Sequence, residues 1–75
     1  MPAEPGTVMN AREWVTAYAA LLGTEPPSTE QFKMILDLAG EAAHSSERVA
    51  APVACWLAAQ AGVDLHQAMR LAQEV

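Results

Sequence analysis

The stretch HSSERVAAPVACW, residues 44–56, joins a polar half to an apolar half near the middle of the chain. Pro52 has no backbone N–H and biases the residue before it away from helical angles, so it fits best in the first turn of a helix. The polar half therefore predicts the end of one helix, and the apolar half predicts the start of the next. Ser45 or Ser46 is the expected cap of that next helix, because serine oxygens accept hydrogen bonds from unpaired backbone N–H groups at helix starts.

Two helices are predicted before this corner, at about residues 10–22 and 29–45. In both, apolar residues recur at the i, i+3, i+4 spacing that places them on one helical face. Asn10 is the expected N-cap of the first helix, and Ser28 or Thr29 is the expected N-cap of the second. Asn10 and Ser28 each have Glu or Gln three residues later, as a capping box requires. Gly23 is expected to end the first helix in a left-handed conformation.

Two further helices are predicted after the corner, at about residues 50–61 and 64–74. Gly62 is the expected stop between them, and Asp64 is the expected cap of the last helix. The alternation typical of strands does not occur. The pattern predicts an all-α fold, a compact four-helix domain with short connections.

The predicted domain spans residues 9–75 and follows a flexible N-terminal tail, residues 1–8, which contains proline and glycine. A chain of 75 residues has a small core, and alanine buries little area. The core is therefore expected to depend on nine larger side chains. These are Trp14, Tyr18, Leu21, Leu22, Phe32, Ile35, Leu36, Trp56 and Leu57.

Charge and composition disfavour several classes of partner. The formal net charge is −5, and the 4 basic residues do not cluster, which disfavours nucleic acids and anionic membranes. The lone cysteine cannot form an internal disulfide, and the sequence has no signal-peptide pattern and no membrane-spanning apolar run. A cytoplasmic protein is expected.

Candidate catalytic residues concentrate at the corner, but their pattern is not typical of an active site. Cys55 lies among apolar residues, which favours packing over a reactive thiolate. Ser45 or Ser46 could form a triad with His44 and Glu47 only if the three groups were in line, and neighbours on a helix point in different directions. No enzyme activity and no cofactor are expected.

A metal site is also disfavoured. Glu41 and His44 have the i, i+3 spacing of helical di-metal sites, but such sites repeat the motif on a second helix. His66 has no glutamate three positions before it. Surface ion pairs among Glu41, His44 and Arg48 are expected instead.

The third predicted helix is apolar on every side, since between Pro52 and Ala61 only Gln60 is polar. Such a helix is expected to be buried within the chain or to meet another protein chain. Both alternatives remain open, and burial within the chain is favoured. The candidate interface residues are Val53, Trp56, Leu57 and Gln60.

Two stretches, NAREWVTAYAALLG at 10–23 and LAGEAAHSSERVAAPVACWLAAQAG at 38–62, resemble a small uncharacterised helical domain family of high-GC bacteria. The resemblance implies association or fusion with the molybdenum cofactor guanylyltransferase, and thus molybdopterin guanine dinucleotide biosynthesis. Its most distinctive motif is the His-x-x-Glu-Arg-x-x-Ala-Pro corner. The matching residues are His44, Glu47, Arg48, Ala51 and Pro52.

These observations predict a non-catalytic accessory or protein-interaction module whose partner is itself or a molybdenum cofactor biosynthesis enzyme. The alternative is a domain that binds a small anionic ligand or cofactor through His44 and Arg48, beside the positive end of a helix. An inward Glu47–Arg48 pair would lock the corner, whereas outward side chains could contact a ligand. The lock is favoured. The predicted structural corner consists of His44, Ser46, Glu47, Arg48 and Pro52.

Overall fold

The computed structural model describes residues 9–75, and these residues form four helices without strands. The predicted all-α four-helix domain is confirmed, with each helix close to its expected position. The predicted tail, residues 1–8, lies outside the described residues. No helix in the described part is both long and apolar enough to span a membrane. The helices are α1 (Ala11–Leu22), α2 (Thr29–Ser45), α3 (Ala50–Ala61) and α4 (Leu65–Ala72).

The helix starts follow from local sequence. The Asn10 side chain accepts a hydrogen bond from the Glu13 backbone N–H at 2.8 Å, and the Glu13 carboxylate accepts one from the Asn10 N–H at 3.0 Å. Ser28 and Gln31 form the same reciprocal pair at the start of α2. Both predicted capping boxes are therefore confirmed. Asp64 caps α4 as predicted, by accepting from a backbone N–H in the first turn at 2.8 Å.

Two glycines end helices in the left-handed conformation. Gly23 has φ 80° after α1, and Gly62 has φ 76° after α3. A side chain at these angles would be strained, which is why glycine is favoured at the position after a helix. Both predicted stops are confirmed.

The core lies where α2 packs against both α3 and α4. Leu38 of α2 is 3% exposed, and Ala68 of α4 is buried with it. Cys55 of α3 lies 3.9 Å from the backbone oxygen of Ile35 on α2, which brings these two helices close together. The small side chains of α3 and α4 allow this close approach.

By contrast, α1 makes no extensive contact with the other described helices. The Arg12 guanidinium lies 5.1 Å from the centroid of the Phe32 ring, a cation–π contact between α1 and α2. Ala19 is the buried residue of α1, and Val15 is half-buried. An exposed cation–π pair contributes about 0.5–1 kcal/mol, so α1 is held weakly.

The predicted core is wrong for most of its members. Phe32 and Ile35 are half-buried, whereas the other large side chains remain exposed. The physical reason is that alanine-rich helices approach closely but present little surface with which to cover a large neighbour. The exposed members are Trp14, Tyr18, Leu21, Leu22, Leu36, Trp56 and Leu57.

Candidate functional site

Backbone hydrogen bonds hold the corner between α2 and α3. The Ala50 N–H donates to the Glu47 carbonyl at 2.9 Å, and the Ala51 N–H donates to the Arg48 carbonyl at 3.1 Å. Val49 is the N-cap of α3, and no side chain caps that helix start. Pro52 occupies the first turn of α3, as predicted.

The expected serine caps of α3 are not formed. Ser45 is the last residue of α2, and its hydroxyl donates to the Glu41 carboxylate at 3.0 Å. Ser46 is the C-cap of α2, where its backbone N–H donates to the Ala42 carbonyl at 3.1 Å. The prediction was wrong because both serines belong to the end of α2, too far from the first turn of α3.

The charged residues of the corner do not form the predicted lock. His44, Glu47 and Arg48 are all exposed, and no ion pair joins them to one another or to Glu41. Within residues 9–75 the salt bridge is Lys33–Asp37, at 3.6 Å. The predictions of an inward Glu47–Arg48 pair and of surface ion pairs with Glu41 are therefore both wrong. No group of three metal-binding side chains forms in these residues.

The apolar setting of Cys55 matches the packing interpretation. Its thiol is half-buried against α2, and desolvation by burial raises the pKa of Cys55 above its ordinary value. A raised pKa lowers the thiolate fraction at neutral pH, which is opposite to what a cysteine nucleophile needs.

The outer face of α3 is an exposed apolar surface. None of the residues of α3, all of which the structure describes, is buried, so the favoured burial within the chain is wrong. Val49, Val53 and Trp56 lie four and three residues apart and share one face, where Trp56 is 63% exposed. We call these three residues the α3 strip. Gln60 continues the same face and is also exposed.

A second apolar surface is concave and was not predicted. It is a groove of about 610 Å³ between α2, α3 and α4, with Glu41 and Ser45 at its polar edge. Leu57, predicted as an interface residue, lines this groove and does not belong to the α3 strip. The groove depends on the arrangement of three helices, and the only signal in the sequence is recurring alanine along α3. Its apolar walls include Leu38, Ala54, Leu57, Ala68, Leu71 and Val75.

A third apolar surface lies on α1. Trp14, Tyr18 and Leu21 are spaced four and three residues apart and remain exposed. The Trp14 and Tyr18 rings contact each other, with centroids 5.0 Å apart. We call these three residues the α1 strip.

Comparison with known proteins gives one match. Residues 6–75 match the family described as "Domain of unknown function (DUF6457)". No curated protein and no solved structure matches the chain. The predicted resemblance to an uncharacterised small-domain family is confirmed at this level. Because the match covers nearly the whole sequence, the chain belongs to the DUF6457 family.

Proposed function

We propose that this domain is a non-catalytic protein-interaction module that docks through the α3 strip. The observation that carries the proposal is the 63% exposure of Trp56 on a helix with no buried residue. Exposed apolar surface at helical spacing is characteristic of helix-mediated docking.

The chemistry of the α3 strip suits an apolar partner surface. Val49, Val53 and Trp56 carry no charge, so docking desolvates no ion on this side of the interface. Tryptophan is enriched among residues that dominate binding energy, since it buries a large area. The expected partner therefore offers an apolar pocket large enough for an indole ring.

The proposed partner is the molybdenum cofactor guanylyltransferase, because the sequence resembles a family associated with that enzyme. The role would be accessory, as this chain has no glycine-rich phosphate-binding loop. This assignment rests on the resemblance, whereas the docking surface rests on the exposure of α3.

Titration calorimetry between this domain and the guanylyltransferase from the same organism tests the proposal. Trp56→Ala and Val53→Glu are each expected to weaken binding by about tenfold or more. Leu36→Ala is the matched control, because Leu36 is a similarly exposed apolar residue on α2. Absence of binding by the unmodified domain, or equal loss in the control, would overturn the proposal.

The alternative function, anion or cofactor binding at the corner, receives less support. His44 and Arg48 are exposed, and neither lines the groove between α2, α3 and α4 or either of the two smaller pockets formed by the described residues. The first N–H groups of α3, on Ala50 and Ala51, already donate to backbone carbonyls. They are not free to bind an anion.

A further inference from the structure

We propose that the domain forms a symmetric dimer in which α1 of each copy lies in the groove of the other. The α1 strip (Trp14, Tyr18 and Leu21) would contact the walls that α2, α3 and α4 provide. This interface is separate from the α3 strip, so it does not depend on the proposed function.

The chain supplies both halves of one contact. The groove is concave and alanine is its most frequent lining residue, which leaves room for large side chains from outside. The α1 strip carries two aromatic rings and a leucine, and Leu21 is 87% exposed. Large side chains on a helix that enter an apolar groove are a common mode of helix recognition.

The chain's own α1 does not occupy its groove, since no residue of α1 lines it. Arg12 holds α1 against Phe32, on a different side of α2 from Leu38 at the base of the groove. Residues six apart on a helix point about 120° away from each other. The connector to α1 contains Pro26 and Pro27, which restrict its bending.

The area available for contact also favours a reciprocal dimer. The α1 strip with Leu22 exposes about 400 Å² of side chain, given the usual areas of aromatic and leucine side chains. Two reciprocal contacts, counting the α1 side and the smaller groove side of each, would bury about 1,200 Å² in all. Stable interfaces bury about 1,200–2,000 Å², and a single contact would fall short. The reciprocal arrangement is therefore favoured, since a two-fold axis pairs every exposed α1 with a groove.

Analytical ultracentrifugation of the full chain from about 10 µM to 1 mM tests the dimer. The expected mass is twice the 8.0 kDa of one chain. Leu21→Glu on α1 and Leu71→Glu on the groove wall are each expected to raise the dimer Kd at least about 100-fold, because each places a charge in an apolar contact. Both side chains are exposed, so the helices should still form, as circular dichroism would verify.

Val53→Glu is the matched control, because Val53 is exposed on the α3 strip and does not line the groove. Val53→Glu should leave the dimer unchanged while it weakens partner docking. The experiment therefore distinguishes failure of the proposed dimer from failure of the proposed docking function. A mixture of Leu21→Glu and Leu71→Glu chains retains one intact α1–groove contact. It should form a weak heterodimer that neither variant forms with itself.

Three outcomes would overturn the proposal. The first is an unmodified chain that stays monomeric at 1 mM. The second is a dimer that Val53→Glu disrupts and Leu21→Glu leaves intact. The third is a monomer that native mass spectrometry finds carrying an apolar small molecule, since grooves of this volume also accommodate such ligands.

Discussion

Leu38 and Trp56 show that the size of a side chain does not decide its burial in this chain. Leu38 is 3% exposed at the junction of three helices, whereas the larger Trp56 is 63% exposed. Burial follows the position of each residue relative to α2, the helix that contacts both α3 and α4. The free energy of unfolding should therefore depend on Leu38 far more than on Trp56.

Leu38→Ala is expected to lower the free energy of unfolding by about 2–5 kcal/mol, because it removes buried methyl groups and leaves a cavity. Trp56→Ala is expected to change it by less than about 1 kcal/mol, since little buried area is lost and alanine favours helix. Urea denaturation followed by circular dichroism, at one protein concentration, measures both. A loss above about 3 kcal/mol for Trp56→Ala would contradict the exposed position of the indole.

The Cys55 thiol should make the free energy of unfolding depend on pH in the alkaline range. Burial raises the pKa of Cys55, so the folded chain holds the thiol proton more tightly than the unfolded chain does. The resulting stabilisation is fully present below the ordinary thiol pKa of about 8.5 and is lost as the pH rises through the folded pKa. The measurement is the free energy of unfolding between pH 7 and 10.

Cys55→Ala is the control for this prediction, because it removes the titrating thiol and keeps a small apolar side chain. All other ionisable groups are the same in both chains, so the difference between the two pH profiles isolates the thiol. The unmodified chain should lose more stability above pH 8.5 than the variant does. Parallel profiles would show that the thiol is as well solvated in the folded chain as in the unfolded one.

At the scale of the helices, α1 and α2 have the same type of start but different packing. Each begins with a complete capping box, and removal of such a cap costs about 0.5–2 kcal/mol. Only α2 of the two makes extensive contacts with other described helices. The same local change should therefore have different global consequences.

Ser28→Ala is expected to lower the global free energy of unfolding by about 1 kcal/mol, because α2 organises the core. Asn10→Ala should instead reduce amide protection within α1 and leave global unfolding nearly unchanged under conditions where the chain is monomeric. Hydrogen exchange by NMR resolves the two effects by residue. Equal global losses would mean that α1 folds cooperatively with the rest of the chain.

The helices could be predicted from the sequence because their starts and ends depend on neighbouring residues. Asn10, Ser28 and Asp64 cap helices as expected, since each contact spans three residues. The prediction of the corner was less accurate, because Ser46 is the C-cap of α2 and lies too far from the first turn of α3 to cap that helix. Local patterns do not record that distance in space.

The surfaces of the candidate site could not be predicted in the same way. Apolar periodicity in α1 is the same whether Trp14 and Tyr18 are buried in the chain or exposed for another chain. The groove needs α2, α3 and α4 to converge, which depends on non-local packing. Periodicity identifies an apolar face, and only the tertiary arrangement tells which face lacks a neighbour.

At the scale of the whole molecule, charge and apolar surface act in opposite directions on self-association. Each copy carries a formal charge of −5, so two copies repel each other at long range. The α1 strip is uncharged, and the groove has Glu41 only at its edge. Salt should screen the repulsion while leaving the apolar contact nearly unchanged.

The proposed dimer is therefore expected to tighten as salt increases. Between 0.01 M and 0.15 M ionic strength the Debye length falls from about 30 Å to about 8 Å. For net charges about 25 Å apart, the repulsion falls by about 1–2 kcal/mol, which lowers the dimer Kd about tenfold. Sedimentation equilibrium at pH 7 measures this change.

Near the isoelectric point of about 4.7 the salt effect should disappear, because the net charge is then close to zero. A dimer that weakens with salt at pH 7 would instead be held by ion pairs, and α1 in the groove would not be its interface.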